Sequence, residues 1–240
     1  VIPDHKDRDS SFSRLKNLVK FFENKDISTI TMDDADSYKS WRLQQISQRN
    51  KPISKATVNR EIEVLKNMLN TKAVQWGYLS SPRLTGIKKF KENNRERILK
   101  ESEIKKLLAS IDEGYLKDFV LIALNTGMRK SEILSLEFKA VYLDEGYVYV
   151  ANSKSGESRK IPLNSTTMKI FKRRLDNKGK CDFVFENPQT QKNYLCIRRS
   201  FKTACEKAKI RNLRPHDLRH TFATRAVQKG DIYHLSKILG

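Results

Sequence analysis

FVLIALNTGMRKSEILSLEFKAVYLDEGYVYVANSKSGESRKIPL, residues 119–163, decides the fold class, because two periodicities meet inside it. Its first nine residues are apolar nearly all round, which predicts a helix buried on every side and stopped by Gly127. Further on, YVYVA (147–151) and RKIPL (159–163) are short runs of β-type composition, joined by the glycine-containing turn NSKSGES. A buried helix followed by a hairpin predicts an α+β unit, mainly helical with a small antiparallel sheet.

Outward from that stretch the pattern is helical. Ile104, Leu107, Leu108 and Ile111 keep helical spacing on the N-terminal side, and alternating polar and apolar helical segments fill the chain after residue 163. Nearer the start, Thr31 and Asp34 have the spacing of a capping box, ahead of a stretch in which Tyr38, Trp41 and Ile46 form a candidate core face. Ser54 is placed to cap the clearest helix, whose Val58, Ile62, Leu65, Leu69 and Trp76 form an apolar stripe. Lys55, Asn59, Arg60, Lys66 and Asn67 fall off the stripe, where they face solvent or meet a polyanion such as DNA. Gly77 and Pro82 close this block, and the charged run IKKFKENNRERILKESE (87–103) lacks apolar periodicity until Ile98, as a linker does. The expected organisation is a helical domain over 1–90, a linker over 91–98 and a second domain over 99–240.

Lys and Arg number 48 against 28 Asp and Glu, a formal net charge of +20, so a polyanionic partner is expected. The excess is uneven. Residues 51–100 carry 12 basic and 4 acidic groups and residues 151–240 carry 21 and 7, whereas residues 101–150 are slightly acidic. Two basic blocks suit a protein that grips a polyanion with two surfaces, each releasing counterions. Cys181, Cys196 and Cys205 are odd in number and lack CxxC spacing, so neither a disulfide framework nor a zinc site is expected, and a reducing, cytoplasmic setting fits. No apolar run approaches the ~20 residues of a membrane span, so no membrane partner is expected. The chain starts Val-Ile-Pro, as a fragment would.

Three islands carry chemistry. In TGMRKSEIL, Arg129 follows the end of the buried helix and Glu132 sits three residues on, a spacing also common to a modest helical ion pair. Lys154 sits in the hairpin turn, where a lysine is ordinarily solvated. In HDLRHTFAT, His216, Arg219 and His220 occupy about one helical turn. The two histidines have the spacing of a helical zinc pair, but the fixed charge of Arg219 opposes a dication, so no metal is expected.

TGMRKSEIL, SKSGESRKIPL and HDLRHTFAT, in that order and with these separations, resemble the signature blocks of the tyrosine recombinases, the phage-integrase type of site-specific recombinase. SPRLTGI and the preceding ATVNREIEVLKNML resemble that family's helical, SAM-like core-binding domain, so the likeness spans most of the chain. It implies a core-binding domain and a catalytic domain that together form a C-shaped clamp on duplex DNA. It makes Arg129 and Arg219 the catalytic arginines, Lys154 the hairpin lysine and His216 the catalytic histidine, with Glu132 and His220 in supporting positions. It also implies metal-independent transesterification through a 3′-phosphotyrosyl intermediate, without a cofactor, by a homotetramer assembled on DNA.

In this family a Leu-Gly-His block precedes the nucleophilic tyrosine, and here Leu239-Gly240 is where the sequence stops. The expectation is therefore a catalytic domain incomplete at its C-terminus, with the nucleophile beyond Gly240, and a monomeric fragment that binds DNA without cleaving it. Tyr233 and His234 read as ordinary members of an amphipathic helix marked by Ile232, Leu235 and Ile238. The alternative reading is a non-enzymatic DNA-binding or regulatory protein that retains the fold.

Overall fold

The computed structural model describes residues 8–47, 50–92, 96–151, 158–228, 230 and 238, with side chains from Ser11 onward. The chain divides into two compact units, Val1–Asn94 and Arg95–Gly240.

The first unit is helical. Its elements are α1 (Arg8–Phe22), α2 (Met32–Leu43) and α3 (Lys55–Asn67); α3 continues through a π-helical turn, Met68–Lys72, into the short α4 (Ala73–Gln75). The capping box is present: Thr31 Oγ1 accepts from the Asp34 N–H, and Asp34 Oδ2 accepts from the Thr31 N–H at 2.8 Å. Ser54 Oγ accepts from the Thr57 N–H at 3.1 Å and caps α3. Val58, Ile62, Leu65 and Leu69 are buried together with Tyr38.

Two stripe positions depart from expectation. Trp76 is 55% exposed, because the π turn puts an extra residue into the helix and shifts the phase of everything after it. Ile46 is 69% exposed, because α2 has already ended at its C-cap, Gln44.

At the centre of this core the Glu61 carboxylate, 1% exposed at its side chain, accepts from the Tyr38 hydroxyl at 2.9 Å and from Asn17 Nδ2, Arg42 Nε and Arg42 Nη2. Four donors satisfy a charge that would otherwise be costly to bury.

The charged run after Pro82 is packed at both of its ends. Ile87 is buried, Lys39 Nζ donates to the Lys88 carbonyl at 2.9 Å, and the Asn59 amide bonds both ways with the Phe90 backbone at 2.8 Å. Beyond the division between units, Leu99 is 3% exposed in the second core.

The second unit builds on α5 (Glu101–Ala109), α6 (Tyr115–Thr126) and α7 (Lys130–Leu134). A three-stranded antiparallel sheet follows, ordered β1 (Val141–Tyr142), β2 (Tyr147–Val150) and β3 (Arg159–Pro162). Then come α8 (Ser165–Asp176), the two-stranded pair β4 (Glu186–Asn187) and β5 (Lys192–Asn193), α9 (Arg198–Lys207) and α10 (Pro215–Gln228).

The largely apolar α6 is the centre of the unit, packed against α8 and α10, with Phe119, Val120 and Ile122 at 0% exposure. Gly127 ends it at φ 65°, a left-handed conformation that glycine adopts without strain. The hairpin pairs Tyr147 with Pro162, Val148 with Ile161 and Val150 with Arg159. Mainly helical content with small antiparallel sheets gives the α+β architecture. No helix among the described residues is long and apolar enough to cross a membrane.

Candidate active site

The turn that ends α6 brings the chemistry together. The Gly127 carbonyl accepts from Arg219 Nη1 at 2.8 Å, which ties the corner after α6 to the first turns of α10 across 92 residues of sequence. Two residues after Gly127, Arg129 is the N-cap of α7. Its backbone N–H donates to Glu132 Oε2 at 2.8 Å and its Nη1 to Glu132 Oε1 at 2.9 Å. Glu132, at the third helical position, answers the exposed backbone donors of a helix start, as a capping carboxylate does.

The same carboxylate holds a second cation that the sequence reading did not single out. Arg159, the first residue of β3, donates from Nη2 to Glu132 Oε2 at 2.7 Å and from Nε to the Ile238 carbonyl at 2.7 Å. A signal for it was present. Arg159 shares the inward phase of Ile161 and pairs with buried Val150, so an arginine stands where strand alternation asks for an apolar side chain.

The α10 end of the site is locked independently. Arg214 donates its N–H to Asp217 Oδ2 at 2.8 Å at the helix start, and Thr221, fully buried, donates to the Asp217 carbonyl while its Oγ1 accepts the Leu99 N–H at 3.0 Å. His216 and His220 are exposed and lie edge to face, with ring centroids 4.7 Å apart.

The electrostatics are those of a crowded cationic site. Burial, then the charge of Arg129, pushes Arg219 down to about 10, with Arg159 adding and Glu132 opposing; the group stays protonated at neutral pH. Although much of its surface meets solvent, partial covering of the His216 ring, then His220 and Arg219, holds the imidazole below its ordinary value of 6.5. Burial alone would raise the Glu132 carboxyl, but hydrogen bonds from Arg159 and Arg129 outweigh it and keep it below 4.5. Three guanidiniums around the Glu132 carboxylate leave an excess of positive charge where forked donors suit a tetrahedral oxyanion.

The structure thus brings together Arg129, Glu132, His216, Arg219 and His220. Lys154, Tyr233 and His234 lie outside the described residues; the strands flanking Lys154 pair as far as Val150 and Arg159. Among the described residues, no cluster of three or more His, Cys, Asp or Glu side chains is placed to hold a metal ion.

The candidate nucleic-acid residues of the first unit divide. Lys55 and Arg60 are exposed, Arg60 meeting Glu92 at 3.0 Å, while Asn67 is exposed and Lys66 half-buried. Asn59 is a correction: it is 3% exposed and its amide is committed to Phe90 and Glu92, so it is a strut inside the unit rather than a reader of DNA.

Residues 91–240 match the model of the phage integrase family. The chain is 29% identical over 192 residues to the integrase of Salmonella phage P22, covering 75% of this chain and 49% of that protein. It is 28% identical over 212 residues to the shufflon-specific DNA recombinase of Escherichia coli, covering 87% of this chain and 53% of that protein. The chain therefore spans about half the length of the curated relatives it matches. Its fold resembles that of lambda integrase (75–356), solved as a dimer bound to a COC' core site, with a TM-score of 0.78 at 17% identity, covering 99% of this chain and 88% of the other.

Proposed function

The chain belongs to the phage integrase family of tyrosine recombinases, and on that premise we propose that it forms the core-binding and catalytic part of a site-specific DNA recombinase that works by metal-independent transesterification. The observation that carries the proposal is the cluster in which Glu132 holds Arg129 and Arg159 while Arg219 is anchored two residues from Arg129.

In the proposed reaction a tyrosyl hydroxyl attacks a backbone phosphorus of duplex DNA. The new O–P bond leaves a 3′-phosphotyrosyl linkage, and the bond to the 5′-oxygen breaks. Charge grows on the non-bridging oxygens, where Arg129 and Arg219 donate from fixed forks. His216 either donates a hydrogen bond to the phosphate or accepts the tyrosyl proton, a choice its lowered proton affinity leaves open near neutral pH. Lys154, on the hairpin turn, delivers a proton to the departing 5′-oxygen, and His220 supports the arginines from the next turn of α10. The covalent linkage keeps the bond energy, so rejoining to a second strand requires neither ATP nor a metal.

The proposed partner is duplex DNA, with a homotetramer as the assembly that exchanges strands. Support comes from the net charge of +20 and from α9 and its flanks, where Arg198, Arg199, Lys202 and Lys207 lie exposed. On the first unit, Lys55, Arg60, Lys66 and Asn67 are the proposed DNA contacts.

The test is covalent capture. The full-length gene product, incubated with a nicked duplex carrying its recombination site, is expected to form a protein–DNA adduct that survives denaturation and is lost in Arg129→Ala and Arg219→Ala. Adduct formation undiminished in both variants overturns the assignment. Tight duplex binding with no adduct in the wild-type protein leaves a DNA-binding protein in its place.

A further inference from the structure

We propose that Arg159 is a positioning residue of this site, the tie that sets Arg129 through Glu132 while fixing the chain at Ile238 against the same guanidinium; the proposal rests on the functional reading above.

The tie is defined by geometry. Nε and Nη2 are neighbouring donors on one edge of a planar guanidinium, and here that edge bridges the Ile238 carbonyl and Glu132 Oε2, each at 2.7 Å. Glu132 Oε2 also takes the Arg129 backbone N–H, which leaves Oε1 for Arg129 Nη1. One rigid fork thus fixes a carboxylate, and the carboxylate fixes the guanidinium proposed to meet the phosphate. Three segments far apart in sequence share the tie: the corner between α6 and α7, the first residue of β3, and residue 238. Arg159 also stands opposite Val150 in the last pair among the described residues of β2 and β3, the strands on either side of Lys154 in the sequence.

Stability alone does not account for an arginine there. The side chain is 6% exposed, and Nη1 is buried without a hydrogen-bond partner among the described residues. A buried cation is a poor stabiliser compared with an apolar side chain of similar volume at the same inward strand position, because its desolvation offsets much of what its ion pair contributes. What the arginine supplies is registration. A lysine would keep the charge but present a point donor on a flexible stem, and could not hold both acceptors along one edge.

The test separates binding from chemistry in the full-length gene product with a nicked duplex. In Arg159→Lys the duplex dissociation constant should stay within about twofold of wild type, because the phosphate-facing charges remain. The single-turnover rate of adduct formation should fall on the order of 100-fold, the scale of an ångström-sized misplacement at a reacting centre. Glu132→Gln cuts the same tie at its other end, so Arg159→Lys made in that background should add little further loss. A purely structural role predicts the opposite split, with binding and cleavage falling together as folded protein is lost.

A wild-type rate in Arg159→Lys overturns the proposal, as does a loss that adds in full to that of Glu132→Gln. If Arg159→Lys does not fold, Glu132→Gln decides alone: slowed cleavage with duplex affinity kept supports the tie, and a wild-type rate overturns it. A wild-type protein that forms no adduct overturns the functional reading itself, a result distinct from a wild-type protein that does and is matched by Arg159→Lys.

Discussion

His216 is the group at which the charge of the site is most open to test. Partial burial of the ring and its neighbours His220, Arg219 and Arg129 hold its pKa below 6.5 in the free protein, so near neutrality the imidazole is mostly uncharged. A phosphate seated beside it favours the imidazolium and raises the pKa. Binding then takes up a proton in the window between the free and bound values, so affinity rises as pH falls through that window. Duplex affinity measured by fluorescence anisotropy at constant ionic strength should therefore strengthen from about pH 7.5 to about pH 5.5, and His216→Gln should flatten the increase. A pH dependence unchanged in His216→Gln would remove His216 from the phosphate's surroundings. Glu132 has the opposite logic for stability: its carboxyl is depressed in the folded state, so its contribution is present above 4.5 and is lost as pH falls through the lower folded value.

Between elements, the key attachment is α10 onto the start of the second unit. Thr221 accepts the Leu99 N–H across 122 residues of sequence and donates to the Asp217 carbonyl in its own helix. Thr221→Val keeps the shape and removes both bonds, leaving a buried N–H with no acceptor. The expected cost is about 1–3 kcal/mol in urea unfolding, with Thr221→Ser recovering most of it. Equal stability of Thr221→Val and wild type would show that Leu99 finds another acceptor. The tie matters to the site because α10 carries Arg219 to the Gly127 carbonyl. In the first unit Asn59 plays a comparable part, satisfying the backbone of Phe90 in both directions and holding the charged segment against α3.

For the whole molecule, charge governs. A net +20 with basic blocks on both sides of a slightly acidic middle should make duplex binding steeply dependent on salt, because each neutralised phosphate releases a counterion. With about six to ten phosphates contacted, the logarithm of the binding constant should fall against the logarithm of salt with a slope of about −5 to −9. Anisotropy titrations between about 50 and 200 mM salt read that slope directly, and a value shallower than about −2 would be incompatible with a DNA-clamping role.

The local pattern settled what local chemistry can settle. Residues apolar nearly all round over Phe119–Gly127 require a buried helix, the composition on either side of Lys154 requires paired strands, Thr31 and Ser54 start helices through their side-chain oxygens, and Gly127 stops one through its left-handed backbone. The order of the signature blocks settled the family, and the charge settled the kind of partner to expect. What periodicity could not settle is which polar side chain ends up inside. Trp76 left its stripe at a π turn, and Asn59 went inward because Phe90 offered its backbone. Arg159 was hidden among strand residues because its partners, Glu132 and the carbonyl of residue 238, lie 27 and 79 positions away. Only the packing of α6 against α10, and the tie from β3 to the start of α7, decided that Arg129, Arg159 and Arg219 converge at Gly127 and Glu132. Burial and ion pairing depend on neighbours in space, and a spacing of three or four along the chain carries no information about neighbours so distant.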